Sequence, residues 1–588
     1  MASAKKPQGR KKTSGGNGSK AAVPATRVRL EPELIVMTKP VAGIAAAPST
    51  GVATAGGPSL GDLASVLSAT GAAITPLFDV EAGTATAMPA TGIPTADAGV
   101  ADSDLMPLGS FFRVEPKNGD MESVAASMMG LDAVVAAYVK PPAELATLDV
   151  REDINVMAPA AVVAPVVTPD FTPRQIYLNA APEGIDAKYA WTMPGGRGAG
   201  MKVVDCEWGW RFEHEDLIDN QLGVITGTDT TSSAYENHGT AVIGVVGGDR
   251  NGFGITGICS DAMSGAASFV TQSTSAAIVN AAQQLSAGDV MILEIHRAGP
   301  NATGAGQFGY IAIEWWPDDF AAIRFAVDKG IIVCEAAGNG FQNLDDAVYE
   351  TPSTGFPATW KNPFNPANPS SGAVVVGAGA PPPGTHGKDH GPDRSRLAFS
   401  NYGRRVDAQG YGREVTTTGY GDLQGDSDAG GNLAARNNWY TDQFSGTSSA
   451  TPIVAGAVAS TQGVLKAQNT AMLTPASARN LLRSTGSAQQ DAPGRPATQR
   501  IGNRPDLKAM IGKVAKVWHY FKTVQTTYAV STSAAAWIYI TDLGWRRIHP
   551  DSPDGVSNLL QMATLAQTMS RQIHAYADGN FVYRMYLL

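Results

Sequence analysis

Apolar positions along the chain fall into three regimes. Between residues 31 and 140, ELIVMTKPV reads as a strand, SLGDLASVLSATG as a helix and ITPLFDV as a strand. After an insertion rich in Ala, Gly, Thr and Pro come GSFFRVEP as a strand, DMESVAASMMGL as a helix and VVAAYVKP as a strand. That order, β-α-β-β-α-β, predicts a small ferredoxin-like α+β sandwich. From about 172 to 513 the strands become continuously apolar. GMKVVDCEW, DVMILEI, IIVCEAAGN and GAVVVGAGA alternate with helical stretches such as HGTAVIGVVGG and FAAIRFAVDKG. Such strands are buried on both faces, so this region is expected to be an α/β domain built on a parallel sheet. Its chemistry should gather at the carboxyl ends of the strands. From 514 to 588 the pattern changes again. WIYITDLGWRRIHP and GNFVYRMYLL are aromatic strands around the helix VSNLLQMATLAQTMSRQ, a separate small α+β module. A stretch rich in Pro, Ala and Val, 141–171, reads as a linker between the first two regions.

Composition narrows the classes. With 588 residues, 43% hydrophobic and 16% charged, the chain can bury several cores. A net charge of -9 argues against a nucleic-acid binder. Residues 1–30 are the exception: KKPQGRKKTSGGNGSK is basic and Gly/Ser-rich, a disordered arm. No apolar segment follows those charges, so no secretory signal is read there. The expectation is a cytoplasmic start, with signal-independent export left open. No apolar run is long enough for a membrane span. Cys206, Cys259 and Cys334 have no metal-ligand spacing, and their odd number suits no disulfide framework.

TDQFSGTSSATPIVAGAVAS, residues 441–460, crowds Ser445, Ser448 and Ser449 before a small-residue helix, with Pro452 expected in its first turn. A serine there is either a helix cap or a nucleophile beside unpaired backbone N–H groups. The other strand ends favour the second reading. Asp205 closes VVDCEW, His238 stands in ENHGTAV and Asn339 follows a strand in AAGNG. Acyl transfer needs a nucleophile, a base, a carboxylate to orient that base and a donor for the oxyanion. All four residue types occur at these positions.

VVD, NHGTAV, AAGNG and SGTSSATPIVAGA together resemble the signature segments of the subtilisin-like serine peptidases, the subtilases. The resemblance implies an Asp205–His238–Ser448 triad, an oxyanion-hole Asn339 and hydrolysis of protein or peptide substrates through an acyl-enzyme. It implies activity that falls below about pH 6 to 7 as His238 takes a proton. Where the family has a Ser-Leu-Gly segment lining the pocket for the residue before the scissile bond, this chain has Glu294, Ile295 and His296. A carboxylate there could select Lys or Arg, share a proton with Glu335, or be salt-bridged in a structural role. The front sandwich resembles the family's inhibitor-like propeptide, an intramolecular partner released by a cut between Lys140 and Phe171. No cofactor is expected to be required. Asp422, Asp426 and Asp428 form an acidic Gly-rich loop that suits a structural calcium ion or simple solvation. His386 and His390 have a metal-compatible spacing in a loop expected to be exposed. The competing class is a catalytically silent binding protein that keeps this fold and its front domain.

Overall fold

The computed structural model describes residues 31–39, 58–78, 107–117, 120–148, 167–425, 433–531, 535–550 and 553–588. The basic arm and most of the front insertion lie outside the described residues. The front region runs β1 (Glu33–Thr38), α1 (Pro58–Thr70), β2 (Ala73–Pro76), β3 (Phe111–Glu115), α2 (Met121–Met129) and β4 (Val134–Lys140). Its sheet order is β2-β3-β1-β4 with every neighbour antiparallel, the ferredoxin-like arrangement. Side chains alternate with the pleat. Leu34, Val36 and Val114 meet Leu67, Val124 and Met128 on the helix side. Ile35, Met37, Phe111 and Tyr138 face the other way, into a core shared with the large domain.

The chain then forms β5 (Ala143–Leu145), inside the stretch expected to be a linker. Three residues carry no readable period, and the partner of this strand lies about 150 residues downstream, so local sequence could not announce it.

The large domain runs α3 (Ala187–Ala190), β6 (Lys202–Glu207), β7 (Gln221–Thr226), α4 (Ser233–Gly247), β8 (Met263–Ser268), α5 (Thr274–Gln284), β9 (Val290–Leu293), β10 (Ile295–Ala298), β11 (Tyr310–Ala312), α6 (Pro317–Asp328) and β12 (Ile332–Ala336). It continues with β13 (Val374–Gly379), β14 (Ala408–Tyr411), β15 (Val415–Thr418), β16 (Tyr440–Phe444), α7 (Thr447–Ala467), α8 (Pro475–Ser484) and α9 (Leu507–Val514). Seven strands form one parallel sheet, ordered β14-β13-β12-β9-β6-β8-β7. One face packs on α7, through Ile453, Val454, Ala457 and Val458. The other packs on α5 and α6, through Ile278, Ala282 and Ile323. The helix α7 is built of small and apolar residues with short polar ones on every side, and it is buried from Thr447 to Leu465. Pro452 lies inside it rather than in its first turn, so the carbonyl of Ser448, four residues back, receives no helical hydrogen bond from that position.

The last region is β17 (Val517–Ala529), β18 (Ala536–Ile540), β19 (Gly544–Ile548), α10 (Pro553–Thr568), β20 (Gln572–Ala577) and β21 (Phe581–Leu587). Its strands close into a barrel, β17-β18-β19-β21-β20. The helix α10 packs Val556 and Ala563 against Ile538, Ile573 and Val582 of that barrel. Among the described residues, no helix is long and apolar enough to cross a membrane.

Candidate active site

The strands β6, β9 and β12 run side by side and end at one edge of the sheet. Glu207 is the last residue of β6, Glu294 follows β9, and Asn339 lies three residues past β12. Ser448 is the second residue of α7. His238 is not at the start of its helix: α4 begins five residues earlier, at Ser233, and carries the imidazole inward on a fully buried turn. Its ring meets Phe444 edge-on at 5.5 Å, at the end of the strand that leads to Ser448.

The carboxylate that holds this imidazole differs from the one expected. His238 Nδ1 lies 2.8 and 3.0 Å from the two oxygens of Glu207. Asp205 makes no hydrogen bond to the imidazole. Its Oδ2 accepts from Trp210 Nε1 at 2.7 Å, and its Oδ1 finds no N–H or O–H donor among the described residues. The strand runs two residues beyond Asp205, and period-2 alternation puts both acids on one face. Glu207 is therefore one pleat nearer to α4. The available signal was Gly209. Glu207-Trp208-Gly209 keeps the acid-x-Gly spacing of the family, which Asp205-Cys206-Glu207 does not.

Burial pushes the Asp205 and Glu207 carboxyls well above their usual range. Their mutual hydrogen bond raises Asp205 further and lowers Glu207. Both carboxyls are thus disposed to hold protons, and within the pair the hydrogen bond favours the proton on Asp205. Burial also holds His238 down, to about 4.

At the serine turn, Ser448 N–H donates to the carbonyl of Ala146 at 3.1 Å. The Ser448 hydroxyl points to the Glu294 carbonyl at 3.5 Å, and His238 Nε2 has no partner among the described residues. The hydroxyl–imidazole bond is thus unmade in this resting arrangement, as is common before a reactive complex tightens. Asn339 Oδ1 accepts from Thr447 N and Oγ1 at 2.9 and 3.0 Å, which ties it to the same turn. Asn339 Nδ2 donates to Gln307 Oε1 at 3.1 Å, and Gln307 Nε2 donates to the Leu145 carbonyl at 2.9 Å. Gln307 was missed because NATGAGQFGY has no periodicity to place it. Ser449 serves the turn, donating to Tyr411 O at 2.8 Å, and Ser445 Oγ reaches Leu148 O at 3.4 Å. Gly446 has φ +98°, and a Cβ there would stand 2.3 Å from the Ala146 oxygen. Only glycine allows the two backbones this close.

Glu294, Ile295 and His296 flank the same place, all fully buried. Glu294 does not pair with Glu335, whose Oε1 accepts from the backbone of Glu314 and whose carboxyl is raised by burial and then by Glu314. The acids that raise Glu294 are Asp205 and Glu207, after burial itself. Glu294 is in no salt bridge among the described residues, and the Ser448 hydroxyl is the neighbour that lowers it. Ile295 belongs to the core. His296 Nδ1 accepts from Asn339 N at 3.2 Å, and its ring leans on Tyr310 at 4.8 Å. Of the calcium candidates, Asp422 accepts from Gln443 Nε2 at 3.0 Å, while Asp426 and Asp428 lie outside the described residues. The loop of His386 and His390 is exposed at Pro383, Gly384, Gly387, Lys388 and Asp389, as expected, but its two imidazoles turn in: His390 Nε2 sits 2.8 Å from Glu414, and His386 bonds the carbonyls of Asp442 and Arg174.

The profile of the subtilase family matches residues 211–505, just over half of the chain, and the chain belongs to that family. It is a serine-type endopeptidase that acts on proteins or peptides. The match contains His238, Asn339 and Ser448 but begins after β6, so it does not choose between Asp205 and Glu207. Among solved structures, the chain is similar to proteases from Pseudoalteromonas arctica, at 20% identity and TM-score 0.40, over 59% of this chain and 99% of that one. It is also similar to fervidolysin from Fervidobacterium pennivorans, a keratinolytic enzyme related to subtilisin, at 15% identity and TM-score 0.48, over 90% of this chain and 69% of that one. A cold-adapted subtilisin-like serine proteinase matches at 20% identity and TM-score 0.34, over 53% of this chain and 89% of that one. No curated protein matches the chain in sequence.

Proposed function

We propose that this endopeptidase is made as a proenzyme and works through Ser448 as nucleophile, His238 as general base and Glu207 as the orienting carboxylate. The observation that carries the assignment is the contact of His238 Nδ1 with both oxygens of Glu207. An acceptor on Nδ1 fixes the tautomer that leaves Nε2 free to take the Ser448 proton, and it stabilises the imidazolium that forms. Asp205 acts one step further back, as a positioning residue whose proton is shared with Glu207. The oxyanion of the tetrahedral intermediate is held by the Ser448 N–H and the Asn339 amide, each worth about 100- to 1,000-fold in turnover.

The front sandwich is the intramolecular inhibitor in this reading. The strand β5 pairs antiparallel with β10, through Leu145 to Ile295, Glu144 to His296 and Ala143 to Arg297. This lays the chain after Lys140 across the edge where the reactive groups meet. Added strands of this kind gain affinity from main-chain hydrogen bonds and specificity from alternate side chains.

The test is labelling by a fluorophosphonate probe after the front region has been removed. Wild type should label, and Ser448→Ala should not. Glu207→Gln should label far more slowly, while Asp205→Asn should remain close to wild type. Loss of labelling in Asp205→Asn with retention in Glu207→Gln would restore the original carboxylate assignment.

A further inference from the structure

We propose that the chain cuts itself between Ala146 and Thr147, and that His296 restricts the residue before a scissile bond to small side chains. This rests on the Ser448–His238 reading above and names its first substrate. The segment after β5 is held as a substrate is held, on both sides of one peptide bond. Ala146 N donates to Glu294 O at 3.2 Å, and Ala146 O accepts from Ser448 N at 3.1 Å. The second contact aims the carbonyl oxygen at a backbone donor that would stabilise an oxyanion. Beyond the bond, Thr147 Oγ1 donates to Ser445 O at 3.1 Å. Leu148 packs on the apolar group of Ala378, Leu397 and Phe399. Among the described residues, no other peptide carbonyl accepts a hydrogen bond from the nucleophile's own N–H.

The side-chain preference follows from what surrounds Ala146. Its methyl is fully enclosed. His296 occupies the position where the related segment has glycine. Its imidazole is held from one side by Asn339 N at 3.2 Å and braced on the other by Tyr310. Burial keeps that imidazole neutral, against an opposing contact with the backbone of Leu145, the residue before Ala146. The register pairs His296 with Glu144, which shares a strand face with Ala146, so a ring stands on that face where a glycine would leave space. Burial and then the acids Asp205 and Glu207 raise Glu294, which disfavours the charge that a choice of Lys or Arg would need.

The step balances without an outside oxidant or metal. Ser448 gives its proton to His238 Nε2 as its oxygen bonds the Ala146 carbonyl carbon. The carbon–nitrogen bond to Thr147 breaks, and the Thr147 nitrogen takes that proton. Water then adds to the Ala146 ester, releasing the Ala146 carboxylate and returning the hydroxyl to Ser448.

The experiment is intact mass and N-terminal sequencing of the purified full chain. Wild type should yield a fragment beginning at Thr147, and Ser448→Ala should stay whole. Ala146→Phe and Ala146→Lys should slow that cut by about 100-fold, and Ala146→Ser should leave it nearly unchanged. A wild-type cut at any other bond, or an Ala146→Phe chain processed at the normal rate, overturns the proposal even where Ser448 still labels. Absence of both cutting and labelling would instead count against the catalytic reading. A second arm compares peptide substrates with Ala or Phe before the cut. His296→Gly should raise the Phe-to-Ala ratio of kcat/KM by at least about tenfold, and an unchanged ratio removes the role of His296. The Ala146 series leaves the enzyme body intact, so it stays decisive if His296→Gly fails to fold.

Discussion

Two buried charge clusters sit at the two ends of β5, and they are built in opposite ways. At its start, Lys140 Nζ is fully buried and contacts Asp318, Asp319 at 3.2 Å and Glu33 at 3.3 Å, while Arg297 Nε reaches Asp319 at 3.0 Å. Tyr138 OH adds a hydrogen bond to Asp318 at 2.9 Å. Acids and bases are interleaved, and each charge has a partner. At its end, Asp205, Glu207 and Glu294 influence one another, and among the described residues the only basic side chain in hydrogen-bond contact with them is His238. The first cluster keeps its charges by pairing them. The second can persist in a dry interior only by holding protons, because unpaired buried charge is strongly disfavoured. Pairing suits a clamp between the front sandwich and the large domain. Proton-holding suits a site whose work is to move one.

The comparison breaks most severely at Glu207. Glu207→Gln should lower kcat by about 10,000-fold, since an amide favours the wrong imidazole tautomer. Asp205→Asn should cost less than about tenfold, because an amide N–H can still donate to Glu207. Steady-state kinetics on a peptide substrate separate the two. Similar losses at both positions would mean that the two acids act as one unit.

At the paired end the effect should appear in stability. Lys140→Met leaves Asp318 and Asp319 short of a cation in a site that water does not reach. Removing one partner of such a pair costs about 3 to 5 kcal/mol. Denaturant unfolding of the unprocessed Ser448→Ala chain should show that loss. The double variant Lys140→Met with Asp318→Asn should recover part of it, because fewer charges then remain unpaired.

The strength of local patterning explains which parts of this were legible. The strands of the parallel sheet are continuous apolar runs, so β6, β9, β12 and β13 could be read directly, as could the serine turn with its helix. His238, Asn339 and Ser448 were found because each stands in a short distinctive segment. Glu207 was passed over because Asp205, two residues earlier on the same face, has the expected residue type. Apart from the spacing to Gly209, the end of the strand relative to α4 decides between them. Gln307 and β5 were illegible for a related reason: each acquires its role from a partner distant in sequence. The closure of the C-terminal barrel was equally hidden, since a strand pattern does not state which strand its edge will meet.

Acidity should distinguish the plugged site from the open one. Burial holds His238 to about 4 in the uncut chain, below the pH 6 to 7 expected from sequence. The imidazole must be neutral to accept the Ser448 proton. Self-processing should therefore slow only as pH falls through about 4 and be flat across pH 5 to 7. Conversion followed by intact mass after dilution into buffers across that range measures it. A limb near pH 6.5 would mean that water reaches the imidazole before the cut.

The smallest effect should appear in the pH dependence of stability. Glu294 is raised well above its usual range by burial and then by Asp205 and Glu207. Its folded state holds a proton that the unfolded chain releases above about pH 4.3. The stability this contributes is present below that value and is lost as pH rises toward the folded pKa. Glu294→Gln removes the linkage, so its advantage over wild type should grow by up to about 1.4 kcal/mol per pH unit above pH 4.3, while the wild-type proton stays bound. The same scan on Asp318→Asn at the other end should run the opposite way. The Lys140 ammonium lowers Asp318 against the opposing effect of burial, so the contribution of Asp318 is lost as pH falls. Parallel slopes for the two variants would show that both clusters carry charge in the same way, and the contrast drawn between them would not hold.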